Sequence, residues 1–392
     1  MPRSRRKLLF HVLSALAALV LASTAGEAYL RWRMTRVLST AADDLSPFAM
    51  GDVSNRDLLI RHTPSGRRLV KNARVLILNH FISRRDVHIR TNALGFRGPE
   101  VAVPKPPGVC RVLVLGDSIT LGDYLPEEEG WVAALAASLE ERTAPGKVEA
   151  INAGVGDTGL AEQLAILEET GLSTEPDLVV LAFYLNDSRP PWGFASEEGS
   201  PGWLCRKSAL AWWICGRLRL GRWVGEHKER RFAWVRAAKD PAWAHSRSAF
   251  LALAHQARAD WGAAWNPQSW ETVAPLLDRL KRLSRERGFS VAVACFPVAF
   301  QVAADFEEST PQRELARLCR DRGFAFLDLL PLLREHRQER LFFDHCHPTA
   351  WANRLIGRAA AEFAAPLLAG SNRPPDMAHI NFSGHDRSQV AK

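Results

Sequence analysis

The chain has 392 residues, 47% hydrophobic and 24% charged, with a formal net charge of +8. Such a composition suits one large folded α/β domain with additions. The basic charge is patchy: residues 1–40 hold seven Lys/Arg against Glu27, residues 204–258 hold twelve against Glu226, Glu229 and Asp240, and the remainder is net acidic. With no zinc-finger spacing and no base-stacking motif, that distribution argues against a nucleic-acid partner.

The first element begins Arg3-Ser-Arg-Arg-Lys7 and continues through residues 8–25, apolar except for His11, Ser14, Ser23 and Thr24. Its length lies between a signal-peptide core of ~7–15 residues and a spanning helix of roughly 17–25. Ser23-Thr24-Ala25 would serve as a cleavage site, yet residues 27–33 continue helically with an aromatic and arginine belt, which favours an uncleaved membrane anchor over residues 1–36. Four basic residues before the span favour a cytoplasmic N-terminus, leaving the rest of the chain outside the membrane.

Residues 37–109 alternate short β-like runs (58–62, 74–78 and 87–90) with turn residues and end in Pro104-Lys-Pro-Pro-Gly108, the pattern of a small β-rich preface and linker. Residues 110–369 then alternate strand-length apolar runs with amphipathic stretches, as a parallel sheet covered on both faces does. Strands are expected over 112–115, 148–152, 178–183, 290–296 and 325–327, and helices over 131–142, 160–170, 271–287, 311–322 and 349–365. Thr310 suits a helix cap before Pro311, and Gly288 and Gly323 suit left-handed stops. Between the third and fourth strands, an insertion over 188–266 contains nine of the thirteen tryptophans. It is expected to be helical, to cover the carboxyl edge of the sheet, and to use its indoles as packing area. An alternative groups Trp212, Trp213, Ile214 and Leu218 with Arg217, Arg219 and Arg222 as a patch for anionic lipid. The tail 370–392 is polar and reads as disordered.

The six cysteines, at 110, 205, 215, 295, 319 and 346, show no C-x-x-C pair and no zinc spacing, so no metal is expected. Cys295 and Cys319 read as small core residues, while Cys205 and Cys215 could pair in an oxidising compartment. Without a G-x-x-x-x-G-K-[ST] or G-x-G-x-x-G motif there is no sequence case for a nucleotide, and no cofactor is expected.

The chemistry-bearing residues follow strand ends, where an open parallel sheet binds ligands. Gly116-Asp117-Ser118 follows the first strand, Asn152-Ala-Gly-Val-Gly156 the second, and Tyr184-Leu-Asn186-Asp187 the third; Asp344-His-Cys-His347 precedes the last helix. A serine needs an imidazole base and usually a carboxylate to orient it, and Asp344-x-x-His347 supplies both from one loop. His345 is the nearby rival to His347. Asp117 and Asp187 are expected to hold loop backbone rather than take part in the reaction. The absence of a G-x-S-x-G elbow disfavours an α/β-hydrolase.

These four blocks resemble the SGNH (GDSL-type) hydrolase superfamily, and residues 91–97 resemble the N-terminal part of its membrane-anchored bacterial members. The resemblance implies a three-layer, flavodoxin-like sandwich around a five-stranded parallel sheet. It implies Ser118 as nucleophile, His347 as base, Asp344 as its orienting carboxylate, and an oxyanion hole from Ser118, Gly156 and Asn186. Two positions depart from the family pattern: Tyr184 stands where the third block usually has glycine, and Gly154 competes with Gly156. The implied activity is hydrolysis of small acyl esters on a glycan, lipid or cell-envelope substrate, outside the bacterial inner membrane. An acyltransferase using the same triad and a non-catalytic envelope scaffold are the alternatives.

Overall fold

Five apolar runs, each bounded by turn residues, assemble into the central sheet of the computed structural model, which describes residues 3–39, 59–63, 65–77, 79–142, 148–188, 208, 210, 214 and 234–369. Four short strands precede it: β1 (Ile60–Thr63), β2 (Gly66–Leu69), β3 (Arg74–Ile77) and β4 (Val87–Arg90). The sheet strands are β5 (Cys110–Leu115), β6 (Val148–Asn152), β7 (Leu178–Tyr184), β8 (Ser290–Phe296) and β9 (Ala325–Asp328). All five are parallel, in the order β6-β5-β7-β8-β9. β7 is buried along its whole length and β5 and β8 at all but the first residue, whereas the edge strands β6 and β9 are only partly covered. Sandwiched central strands need apolar side chains on both faces, and hence read as continuous hydrophobic runs.

The membrane-candidate helix α1 spans Arg3–Ser39, and its stretch Phe10–Leu30 is long and apolar enough to cross a membrane. Near the far end of that stretch, Glu27 accepts hydrogen bonds from Ser208 Oγ at 2.7 Å and the Leu210 N–H at 2.9 Å, so the helix touches the start of the insertion. The helices of the α/β domain are α2 (Ser118–Leu121), α3 (Trp131–Arg142), α4 (Leu160–Glu169), α5 (Pro267–Arg287), α6 (Thr310–Arg322) and α7 (Ala350–Leu368). α3 packs on α7, while α5 packs against both α4 and α6, giving the two outer layers expected of right-handed crossovers. Gly288 and Gly323 end α5 and α6 at φ 78° and 72°. The capping expectation at Thr310 is corrected: Ser309 is the cap residue, without a side-chain cap bond, and Thr310 is the first helical residue. α5 starts four residues earlier than expected, because the Asn266 side chain accepts the Gln268 N–H and Pro267 opens the helix.

The preface is two antiparallel hairpins, β1-β2 and β3-β4, with a small core of Leu59, Ala73, Val75, Ile77, Val87 and Ile89. Strand β2 was not visible in sequence, because Gly66-Arg-Arg-Leu69 has no apolar run; pairing with β1 makes it a strand. Arginines tie the preface to the α/β domain through Arg67–Asp157, Arg68–Glu169, Arg85–Glu129 and Arg90–Glu127. In the insertion, Trp234, Trp243, Trp261 and Trp265 pack edge-on or tilted against one another and against Phe250 and Phe300. These four indoles serve as packing area; Trp192, Trp203 and Trp223 lie outside the described residues. Trp212, Trp213, Arg217, Leu218, Arg219, Arg222, Cys205, Cys215 and the tail 370–392 lie outside the described residues.

Where α3 and α7 cross, a Cβ on Gly357 would come within 2.6 Å of the Trp131 carbonyl oxygen and 2.8 Å of the Leu135 nitrogen. Backbone cannot yield as a flexible side chain does. Gly357→Leu is therefore expected to push the helices apart and lower unfolding stability by about 1–3 kcal/mol, measured by denaturant titration; unchanged stability would mean the crossing is looser than described.

Candidate active site

Strand β5 runs into Gly116, where an added Cβ would strike the Thr120 side chain, and the chain turns at once into the single helical turn α2. Ser118 opens that turn. Asp117 accepts the Ile119 N–H at 2.9 Å, and Gly122, left-handed at φ 66°, returns its N–H to the Ser118 carbonyl. Asp117 is thus a loop-holding residue, and Ser118 is 8% exposed.

The second loop is built around Asp344. Its Oδ1 accepts the N–H groups of Cys346 and His347, both at 2.9 Å, curling the chain so that Oδ2 lies 2.7 Å from His347 Nδ1. His347 Nε2 then lies 3.0 Å from Ser118 Oγ. Carboxylate, imidazole and hydroxyl form one continuous hydrogen-bonded chain. With Nδ1 held by the carboxylate, Nε2 can accept the serine proton. Burial raises the Asp344 pKa, but the hydrogen bond and charge of His347, the charge of His345 and the Cys346 N–H together outweigh it and hold Asp344 well below the usual carboxylate range. His345, the rival, points elsewhere: its Nε2 is 3.8 Å from buried Asp260 and its ring lies against Trp234, centroids 4.8 Å apart.

Gly156 and Asn186 both follow sheet strands at the carboxyl edge that carries Ser118, Gly156 after β6 and Asn186 after β7. The two competing glycines, Gly154 and Gly156, differ in what their N–H groups do. The Gly154 N–H donates to Asn152 Oδ1 at 3.0 Å, and a Cβ added there would strike the backbone of Thr120 and Leu121. Val155 donates to the Gly116 carbonyl at 3.1 Å, whereas Gly156 N–H makes no hydrogen bond among the described residues. Asn186 is 7% exposed in a tight turn, where Asp187 accepts the Tyr184 N–H at 3.1 Å and the Gln163 amide at 2.9 Å. Tyr184 is a buried strand residue without a positive φ, so glycine is not required at that position.

Several residues beside the site carried no sequence signal. Tyr124, fully buried, stands edge-on to the His347 ring with centroids 5.0 Å apart. Cys346 Sγ is 3.3 Å from His347 Nδ1, and burial pushes its thiol well above its ordinary pKa, so it stays neutral. Asp344, Cys346 and His347 offer metal-ligand atoms within 4.8 Å of one another.

Residues 114–355 match the model of the GDSL-like lipase/acylhydrolase family, and that span contains Ser118, Gly156, Asn186, Asp344 and His347. The chain belongs to that family. As a GDSL-type acylhydrolase it is an ester-bond hydrolase. No curated protein matches the chain in sequence. Similar solved structures include an acetyl xylan esterase, AlAXEase, at 14% identity and TM-score 0.38, covering 64% of this chain and 97% of its own. Another is a lipolytic G-D-S-L family protein from Veillonella parvula at 14% identity and TM-score 0.37, with 65% and 97% covered. A third is a two-domain esterase active on acetylated mannans, at 18% identity and TM-score 0.39, with 68% and 51% covered.

The depressed Asp344 pKa has a pH consequence of definite sign. A carboxylate whose folded pKa lies below its unfolded value stabilises the fold above the unfolded pKa, and the contribution fades as pH falls toward the folded pKa. Between about pH 5 and pH 2 the unfolding free energy of the wild type is therefore expected to fall more steeply than that of Asp344→Asn, followed by denaturant titration at each pH. Parallel profiles would show that the carboxylate is not specially held.

Proposed function

We propose that this GDSL-family hydrolase cleaves esters through an acyl-enzyme on Ser118. His347 Nε2 removes the Ser118 proton as Oγ attacks the ester carbonyl, and Asp344 steadies the imidazolium that forms. The tetrahedral oxyanion is met by the N–H groups of Ser118 and Gly156 and by the Asn186 side chain. His347 then returns the proton to the leaving alkoxide, and a water molecule deprotonated by the same imidazole releases the acid and free Ser118. The observation that carries this reading is the unbroken chain from Asp344 Oδ2 through His347 to Ser118 Oγ, with links of 2.7 and 3.0 Å. The uncommitted Gly156 N–H, next to the occupied Gly154 N–H, supports Gly156 as the oxyanion donor.

The proposed substrates are small acyl esters on a glycan or another envelope component beside the membrane. The candidate span Phe10–Leu30 supports a tethered enzyme, with the basic residues 3–7 on the cytoplasmic side and the catalytic domain outside.

The wild type is expected to gain the mass of one fluorophosphonate adduct at Ser118, and Ser118→Ala to gain none. With a p-nitrophenyl acyl ester, Ser118→Ala and His347→Ala should each lose roughly 10⁴- to 10⁶-fold in kcat, and Asp344→Asn on the order of 10⁴-fold. Near-normal turnover by Ser118→Ala would refute the assignment, and acylated glycan in place of free acid as the product would make the enzyme a transferase.

A further inference from the structure

The single turn α2 that carries Ser118 ends against carbonyl oxygens that no helix continues to satisfy. Two residues from outside the turn supply the donors. Asn152 Nδ2 donates to the Thr120 carbonyl at 2.7 Å. The buried guanidinium of Arg97 donates from Nη1 to the Leu121 carbonyl at 2.7 Å and from Nη2 to the Leu125 carbonyl, also at 2.7 Å. One planar fork therefore spans both ends of residues 121–125, which a lysine, with one point of charge, cannot do. Arg97 is itself fixed, because its N–H donates to the Asn152 carbonyl at 3.2 Å.

The clamped segment carries Tyr124. Its ring meets the loop of the catalytic base twice, edge-on to His347 at 5.0 Å and edge-on to Phe343 at 5.9 Å. The Phe343 N–H closes that loop by donating to the His347 carbonyl at 2.8 Å. An imidazole tied at Nδ1 still has freedom to tilt about that bond, and a ring against its face removes it. Misplacement of a reacting group by about 1 Å can cost on the order of 10²-fold in rate.

We infer that Arg97, carried by the N-terminal preface, is a positioning residue for the catalytic imidazole, acting through residues 121–125 and the ring of Tyr124. This rests on the reading of Ser118 and His347 as nucleophile and base. The preface is then a part of the active site as well as a spacer between membrane and domain. The arginine contributes no proton and touches no substrate; it holds the support on which the base rests.

The test is the kinetics of fluorophosphonate labelling of the full-length protein in detergent, because the amplitude counts folded sites and the rate constant reports how well each serine is activated. Wild type and Ser118→Ala come first: absence of labelling at Ser118 in the wild type would overturn the function reading itself. Given a labelled wild type, Tyr124→Leu and Arg97→Met are expected to lower the rate constant by about 10- to 100-fold. Arg97→Lys should lower it less, and Tyr124→Phe, which keeps the ring, should restore most of it. Arg85→Ala, which removes a preface ion pair to Glu129 without touching residues 121–125, should leave it unchanged. With p-nitrophenyl acetate the loss should appear in kcat per labelled site and leave KM nearly unaltered. A normal rate constant with only a reduced amplitude would overturn the inference, as would loss of all folded protein in Tyr124→Leu and Arg97→Lys alike, since either result makes these contacts supports of the fold alone.

Discussion

The candidate site depends on holding two side chains 229 residues apart in sequence at one hydrogen-bond distance, Ser118 Oγ against His347 Nε2, and the proposed mechanism depends on that contact. A serine hydroxyl displaced by even an ångström from its base is an ordinary alcohol. The parallel sheet supplies most of the precision. β5 delivers Ser118 from between its parallel partners β6 and β7, and crossovers return the chain so that the loops after those two strands emerge at the same edge. His347 arrives from the last loop before α7, and α7 is locked to α3 by the close contact at Gly357 and by Asn353, whose Oδ1 accepts the Trp131 N–H at 3.0 Å.

Backbone groups at that edge set the remaining constraints. Sharp turns leave carbonyl and N–H groups without strand or helix partners, and buried groups of this kind must find donors or acceptors elsewhere. Asp117, Asp187 and Asp344 each satisfy such N–H groups, while Asn152 and Arg97 satisfy the carbonyls of 120, 121 and 125. The two additions to the sheet meet the site from different directions. The preface reaches the Ser118 loop through Arg97, and the insertion reaches the Asp344–His347 loop through Trp234 against His345. Asp260, 1% exposed and also on the insertion, sits 3.8 Å from the same histidine, so the His345 imidazole is engaged by insertion residues.

Much of this was legible in the linear chain for a simple reason. Central strands covered on both faces must be apolar throughout, so β5, β7 and β8 announce themselves, and polar motifs at their ends stand out against them. The Asp-x-x-His spacing is local, and one loop can satisfy it without knowledge of the fold. The same logic explains what was missed. Strand β2 has no apolar run and exists through its partner. Thr310 reads as a cap in sequence, but the helix begins at that residue and Ser309 takes the cap position. Arg97, Tyr124 and Cys346 are unremarkable residue types whose importance lies wholly in what folds against them.

The amino-acid sequence by itself determined the fold class, the order of the strands along the chain and the identity of the triad candidates, because those follow from hydrophobic period and from chemistry that only a few residue types can perform. Tertiary structure alone distinguishes Gly154 from Gly156, by committing one N–H to Asn152 and leaving the other without a hydrogen bond among the described residues. It also distinguishes His345 from His347, by bringing the second within 3.0 Å of Ser118 Oγ, and it makes the preface a neighbour of the candidate site. These are matters of distance between segments remote in sequence, and no local pattern of residues encodes them.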